Sequence, residues 1–379
     1  MQRASWGWRK SGFNHGIIIP VYTSFLYNYA VTLTQTAILV KQIITISIIT
    51  LVVGTISFIG YQIWHAYYLA NLPPVEEKPD TKFGLLPQLN FPKSSVSTSN
   101  FSYSLDTTTG GLPKIGVDPG FEKIIKVYFV TQTFATLLAP EKSQDLAKKF
   151  GITTLPEILS ETRYRFKDKD KVLLVDLDNG NFSYTKQASI SGELNPDEDK
   201  KLISDFKQIL SSLGVLKDDL KNGRDKITLL KTVGGEFVST MTQSETQVIQ
   251  ISLWPAAIDK KSIFATNFNK SLINATVLGS ADKLDNYLNL NFTYYPIDTL
   301  TFATYPIKTA ETAFDDLKSG KGIIMIEPDK PEVSITSVSL GYYLSENYSP
   351  YLQPIYVFEG PNFASYVAAI TEQFQAQAK

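Results

Sequence analysis

A long run of uncharged residues most strongly restricts the fold that this chain can adopt. The stretch "IITISIITLVVGTISFIGYQI" covers residues 43–63, and an apolar helix needs about 20 residues to cross the hydrocarbon core of a bilayer. A buried core helix is typically shorter than this run. We therefore predict a single transmembrane helix over residues 42–69, with the lipid bilayer as its partner through residues 43–63.

The residues that flank this run indicate its ends and its orientation. Lys41 precedes it. Four aromatic residues at its far end are candidates for the membrane interface, where such rings are enriched: Tyr61, Trp64, Tyr67 and Tyr68. Residues 1–70 contain four basic residues and no acidic residue, and basic residues favour the cytoplasmic side. We expect a cell-membrane protein with a cytoplasmic N-terminus and an extracytoplasmic C-terminal body.

Residues 1–41 are interpreted as a cytoplasmic or interfacial segment. Within it, residues 16–40 are also uncharged but contain many Thr, Tyr, Asn and Gln residues. Only Lys41 and Gln42 separate this stretch from the main run, which is too short for the turn between two antiparallel helices. An interfacial helix or an extension of one long helix is therefore favoured over a second span. A misassigned start of translation is a further alternative.

Composition excludes several kinds of chemistry from the body. All 37 acidic residues and 32 of the 36 basic residues follow residue 70, and a mildly acidic surface does not attract nucleic acid. The chain has no cysteine, and its two histidines, His15 and His65, lie in the first 70 residues. A histidine base, a thiolate nucleophile and a Cys/His zinc site are therefore excluded from the body. We expect no catalytic residue, no cofactor and no metal site.

The body is predicted to have an α+β fold, with antiparallel sheets covered by about three helices. Residues 70–100 are rich in Pro and Ser and are interpreted as a stalk. The three helices are predicted from capping residues and glycine stops, at residues 140–151, 195–214 and 309–320. In the second, Asn195 is the expected N-cap, Pro196 the first helical residue, and four apolar residues form one stripe: Leu202, Phe206, Leu210 and Leu213.

Strands are predicted where the hydrophobic period changes to two. In "LNLNFTYY", residues 288–295, Leu and Phe alternate with Asn and Thr. Other strands are expected within residues 101–106, 124–130, 164–185, 247–254, 333–344, 351–360 and 363–370. The loop "DLDNGN" at residues 176–181 fails the spacing of a calcium loop and is interpreted as a hairpin turn. We place two α+β domains at residues 101–225 and 226–379.

Acidic residues on the predicted helices are interpreted as solvent-facing charges that favour the helix dipole and solubility. They are Glu141, Asp145, Asp197, Glu198, Asp199, Asp315 and Asp316. Nothing in the sequence brings two of them together, as the carboxylate pair of a glycosidase requires.

The last third of the body resembles a known family. It contains "YPIKTAETAFDDLKSGKG" and then "SVSLGYYLSENYSPYLQPIYVFEG". Residues 305–370, together with the single N-terminal span, resemble PepSY-type modules and the YycH/YycI-like extracytoplasmic regulators of bacterial sensor kinases. The resemblance implies PepSY-like units in the body, no catalytic residues, and a protein or peptide partner outside the membrane.

An aromatic tract, "LGYYLSENYSPYLQPIYVFEG" at residues 340–360, offers candidate contact residues. Its turn at residues 345–350 divides it into two strands. Alternation places Leu340, Tyr342 and Leu344 on the opposite face from Tyr343, and most rings are expected to pack against the third helix. Tyr348 and Tyr351 lie at or beside the turn and are the candidate partner-binding residues.

We therefore expect a non-enzymatic, membrane-anchored binding or regulatory module for an envelope protein or peptide. The alternatives are a cell-envelope hydrolase that uses carboxylates, a polysaccharide-binding protein, and a structural component of the envelope.

Overall fold

The computed structural model describes residues 33–70, 78–94, 96–108, 110–190, 194 and 196–376. The chain forms two compact units, Met1–Glu76 and Glu77–Lys379. The helices of the described residues are α1 Leu33–Ala70, α2 Ala139–Lys149, α3 Asp199–Leu213, α4 Asp218–Lys221 and α5 Ala310–Lys318. Together with the many strands of the second unit, they confirm a mixed α+β architecture with one apolar N-terminal helix.

Strands and helices are interspersed along the chain. They are β1 Ser102–Leu105, β2 Ile124–Val130, β3 Glu157–Ser160, β4 Arg163–Asp168, β5 Lys171–Asp176, β6 Phe182–Lys186, β7 Asp225–Val233, β8 Glu236–Ser239, β9 Val248–Leu253, β10 Ile263–Ala265, β11 Ile273–Val277, β12 Tyr287–Phe292, β13 Ile297–Pro306, β14 Ile323–Ile326, β15 Glu332–Ile335, β16 Ser337–Leu344, β17 Tyr351–Gly360 and β18 Phe363–Ala368.

Helix α1 is the one helix of the described residues that is long and apolar enough to cross a membrane. Its apolar part covers Thr36–Leu69, with a mean hydropathy of 2.3. The 38 residues of α1 correspond to a length of about 57 Å. The helix continues through Lys41, so residues 33–40 extend the same helix. Residues 16–32 lie outside the described residues. The alternatives of an interfacial helix or a second span therefore stay predictions for that part.

Nine antiparallel strands form the larger sheet of the body. Their order across the sheet is β3-β4-β5-β6-β12-β11-β9-β7-β8. Helices α2 and α3 cover one face of it, and the predicted stripe of α3 is buried there against strand residues such as Leu290 and Tyr184. Gly214 ends α3 in the left-handed conformation, at φ 82°, which favours glycine.

The start of α3 differs from the prediction. The helix begins at Asp199 and has Glu198 as its N-cap, so Pro196 is not the first helical residue. The backbone N–H of Asp197 donates instead to the carbonyl of Gly279, at 3.4 Å. Residue 197 thus makes its backbone contact with a distant turn and not within the helix. The predicted cap Asn195 lies outside the described residues.

A second large sheet has seven strands, and β1 and β15 pair in parallel as a separate two-stranded sheet. Strands β10, β16, β17, β18 and β14 follow one another, and β2 joins the start of β17 and pairs on its other edge with β13. Helix α5 packs on one face, where its Phe314 ring lies 6.0 Å from that of Phe358. Tyr342 and Tyr356 belong to this same core. Tyr343 belongs to the core on the opposite face, which confirms the predicted alternation.

Residues 78–94, predicted as part of the stalk, pack against the seven-stranded sheet. Leu86 is fully buried and exchanges backbone hydrogen bonds of 2.8 Å with Phe374 and Ala376. The side-chain amide of Gln353 donates to the carbonyl of Pro87, at 2.8 Å. The rest of the expected stalk before this segment, residues 71–77, lies outside the described residues.

The seven-stranded and nine-stranded sheets draw their strands from interleaved parts of the chain. Strand β2 belongs to the seven-stranded sheet, although it precedes β3 of the nine-stranded sheet. Strands β7 to β9, β11 and β12 follow residue 224 and share a sheet with β3 to β6. The boundary placed between residues 225 and 226 stays a prediction, and one continuous sheet extends across it.

Candidate functional site

A polar cleft of about 600 Å³ lies on the face of the nine-stranded sheet that α2 and α3 leave uncovered. Its volume is within the range of ligand pockets, roughly 300–1,000 Å³. Strands β5, β6, β11 and β12 supply its floor, and residues 266–272 and Glu346 supply its walls. We name it the polar cleft. The polar residues that line it are Arg163, Asp176, Asn181, Ser183, Thr266, Asn267, Lys270, Ser271, Asn274, Asn291, Thr293 and Glu346.

Alternation along the strands produces this polar floor. Leu290 and Phe292 of β12 point into the core under the helices, so Asn291 between them faces the other side. In the sheet register, Asn291 lies opposite Ser183 of β6 and opposite Asn274 of β11. Three uncharged polar side chains from three adjacent strands therefore form one row, which we name the Ser–Asn row.

Hydrogen bonds fix the side chains of the Ser–Asn row. The Ser183 hydroxyl lies 2.7 Å from Oδ1 of Asn291 and donates to it. Nδ2 of Asn291 donates to Oδ1 of Asn289 at 2.8 Å and to Oδ1 of Asn274 at 3.4 Å. Each amide oxygen can accept a second hydrogen bond. The row therefore presents oriented acceptors to the cleft.

The wall of the cleft is tied to both sheets. Oγ1 of Thr266 accepts a hydrogen bond from the backbone N–H of Glu346, at 3.3 Å. The Tyr295 hydroxyl donates to the carbonyl of Glu346, at 3.0 Å. Nδ2 of Asn274 donates to the carbonyl of Ser271, at 2.7 Å. The wall residues on either side are thus held by side chains that belong to the folded core.

Lys270 is a half-buried cation in this wall. Burial lowers the pKa of its ammonium group, and the negative charge of Glu346 partly offsets this effect. Within the described residues, Lys270 has neither an ion pair nor a side-chain hydrogen bond. Burial of an unpaired charge is costly. The cleft therefore contains a cation whose environment favours an anionic group beside it.

The other charged residues of the cleft lie near its floor. Arg163 of β4 is exposed and lies directly opposite Asp176 of β5 in the register. Oδ1 of Asp176 accepts the backbone N–H of Asp178, at 2.9 Å, within the predicted hairpin turn. Two cations and two carboxylates thus line the polar cleft, and their formal charges balance.

The candidate contact residues Tyr348 and Tyr351 are half-buried. The Tyr348 hydroxyl donates to the carbonyl of Val130, at 3.0 Å, and the Tyr351 ring stacks on Phe83, with centroids 4.8 Å apart. Neither lines the polar cleft. Tyr348 lies close to it, because its ring contacts that of Tyr295, whose hydroxyl binds Glu346 of the cleft wall. Their role in binding a partner stays a prediction.

The candidate membrane-interface residues all lie on α1. Trp64 contacts Tyr61 and Tyr68, with ring centroids 6.4 and 5.7 Å apart. Tyr67 is exposed in the last turns of the helix, and Lys41 lies near its other end. Their placement at the membrane interface stays a prediction.

No group of three or more His, Cys, Asp or Glu side chains that could hold a metal ion occurs in the part of the chain that the structure describes.

One of the acidic residues that were predicted to face solvent is buried instead. Asp316 of α5 is buried, and its carboxylate pairs with Lys308 and Lys321, which lie outside the helix.

Sequence reasoning did not identify the polar cleft, although one signal for it was present. The alternation in residues 288–295 placed Asn289 and Asn291 on the face opposite the core. Ser183 and Asn274 could not be assigned to the same site, because their proximity depends on the order of strands in the sheet. Lys270 had no distinguishing sequence pattern.

The comparisons with known proteins do not show a family. No protein-family model matches the chain, and no curated protein matches it. Among solved structures, an uncharacterized protein from Eubacterium rectale is similar over 71% of this chain and 89% of its own, with 11% sequence identity and a TM-score of 0.34. At this level the similarity carries no argument about function.

Proposed function

We propose that this protein is a single-pass, membrane-anchored binding or regulatory module that acts without catalysis. In this proposal α1 spans the membrane, the N-terminus is cytoplasmic, and residues 77–379 bind an envelope protein or peptide on the outside. The apolar helix and the basic residues that precede it support the anchoring and the orientation. The separate compactness of residues 77–379 supports an independent binding body.

The polar cleft is the observation that carries the proposed binding function. Its Ser–Asn row offers hydrogen-bonding groups in fixed orientations, and fixed groups bind a ligand with less loss of conformational entropy. The amide oxygen of Asn291 can accept a further hydrogen bond, which matches the N–H groups of a peptide. The resemblance of residues 305–370 to PepSY-type modules also favours a protein or peptide partner.

Site-specific crosslinking in intact cells tests the binding function. A photo-crosslinking amino acid in place of Asn267, which is exposed in the cleft wall, is expected to capture a discrete partner. The matched control replaces Lys283. This exposed residue precedes the first residue of β12, whereas the cleft lies near the last residues of that strand. Capture of the partner from both positions, or from neither, contradicts binding through the cleft.

The absence of cysteine from the chain makes the orientation directly testable. A single cysteine at Lys330, an exposed residue of the body, is expected to react with a membrane-impermeant maleimide in intact cells. A single cysteine at Arg3 is expected to react only after permeabilisation. The reverse pattern contradicts the proposed topology.

A further inference from the structure

The chemistry of the polar cleft restricts the class of ligand it can bind. Lys270 supplies a cation in the wall, without an ion pair among the described residues. The Ser–Asn row supplies amide and hydroxyl groups on the floor. A ligand that satisfies both has an anionic group next to several neutral hydrogen-bonding groups.

The other charges of the cleft argue against a polyanion. Asp176 and Glu346 line it together with Arg163 and Lys270, so its formal charge is balanced and a ligand with many negative groups would meet carboxylates as well as cations. Like charges at short distance disfavour binding. One carboxylate beside neutral amides is the chemistry of the C-terminal end of a peptide, and capture of a terminal carboxylate is a recurring mode of peptide recognition.

We propose that the polar cleft binds the free C-terminus of a peptide or protein, with Lys270 holding the terminal carboxylate and the Ser–Asn row binding the last peptide groups. This assignment rests on the proposed binding function and specifies which end of the partner enters the cleft. Lys270 contributes a charge-assisted hydrogen bond. The acceptor of the half-buried Asn291 receives an N–H group of the peptide.

Binding to the full-length protein in lipid nanodiscs tests this assignment. The probes are a fluorescent random tetrapeptide library with free C-terminal carboxylates and the same library with C-terminal amides. We expect the free acids to bind at least tenfold more tightly than the amides. Lys270→Met is expected to remove this preference, and Lys270→Arg to retain most of it.

Matched variants separate the cleft from general effects of charge. Lys283→Met removes an exposed lysine outside the cleft and is expected to leave both libraries unchanged. Asn291→Leu removes the amide at the centre of the Ser–Asn row and is expected to weaken both libraries. Far-ultraviolet circular dichroism confirms that each variant is folded.

The results that overturn the assignment are distinct from those that overturn the proposed function. Equal binding of acids and amides, or an unchanged preference in Lys270→Met, overturns the role of the carboxylate. Binding of tetragalacturonate that depends on Lys270, without peptide binding, shows an acidic saccharide ligand and also overturns it. No binding of any probe overturns it as well, whereas crosslinking in cells decides separately whether the cleft has a partner.

Discussion

Nζ of Lys308 lies 2.8 Å from Oδ2 of Asp316, and each side chain retains 9% of its accessible surface. Removal of one partner from a buried ion pair leaves an uncompensated charge. We expect Asp316→Ala to lower the free energy of unfolding by about 3 kcal/mol, measured by denaturation of the full-length protein in detergent.

The adjacent residue on the same helix is a control for this prediction. Asp315 pairs with Lys318 at 2.6 Å, but the side chains are 71% and 47% exposed. Asp315→Ala is expected to change stability by less than about 1 kcal/mol, as exposed ion pairs contribute little. Equal costs for the two variants would show that burial of the Lys308–Asp316 pair does not determine its contribution.

Gly360 is required by a close approach of two backbone segments. A Cβ atom at this position would lie 2.1 Å from the carbonyl oxygen of Ser334. We expect Gly360→Ala to destabilise the protein by about 2 kcal/mol, because strand β17 or the Ser334 segment must shift. A Cβ atom at Gly111 would meet no atom within 4 Å, so Gly111→Ala is expected to be nearly neutral. Thermal unfolding of the full-length protein in detergent measures both variants.

Asp219 should give the protein a pH-dependent stability. Burial raises the pKa of its carboxyl group, an effect that the hydrogen bond from the Tyr294 hydroxyl, at 3.0 Å, partly offsets. An acid with a raised pKa in the folded state destabilises that state when it is ionised, so the protein gains stability as pH falls through the raised pKa. We expect Asp219→Asn to stabilise the protein more at pH 7 than at acidic pH, relative to the wild type.

The neighbouring residue Asp218 should contribute a pH dependence of stability with the opposite sign. The hydrogen bond from Lys221 lowers the pKa of this fully exposed carboxyl group. Its contribution to stability is therefore present at neutral pH and is lost as pH falls through the lowered pKa. Melting temperatures of both Asp→Asn variants between pH 3 and pH 7 check the two signs. The same pH dependence in both variants would contradict the assignment for Asp219.

Tyr343 holds the segment before β1 against the seven-stranded sheet. Its hydroxyl donates to the carbonyl of Asn90 at 3.0 Å, and its ring contacts Phe91. Tyr343→Phe keeps the ring contact and removes the hydrogen bond, so we expect about 1 kcal/mol of destabilisation and faster amide exchange at residues 87–91.

A second tyrosine distinguishes local loosening from a general loss of stability. The Tyr356 hydroxyl donates to the carbonyl of Lys308, at 2.6 Å. This hydrogen bond does not involve residues 87–91. Tyr356→Phe is expected to leave amide exchange of that segment unchanged under native conditions. Hydrogen exchange with mass spectrometry measures both variants, and equal effects on residues 87–91 would contradict the local role of Tyr343.

The sequence predicted those elements whose signals are local. The apolar stripe of α3 and its terminal Gly214, and the N-cap of α5 at Thr309, are confirmed by buried side chains and by capping geometry. These features depend on residues within one or two turns of each helix. The start of α3 was misplaced, and the backbone N–H of Asp197 contacts Gly279, a distant residue that no local pattern specifies.

Several strands were missed because their sequences are short or interrupted. Strands β7 and β8, which a turn containing Gly234 and Gly235 connects, were not predicted. The polar cleft was missed for a related reason. Its floor requires strands β6, β11 and β12 to be adjacent, and no local pattern specifies which strands pair.

The strand order of the nine-stranded sheet has a consequence for synthesis on the ribosome. Its two central strands, β11 and β12, are the last of the nine in the chain. Until residue 292 has emerged, strands β3 to β6 and β7 to β9 form two separate pieces, in which β6 and β9 are open edges. Unpaired edges promote aggregation. The two edges therefore stay unpaired until residues 273–292, the middle of this sheet, are supplied.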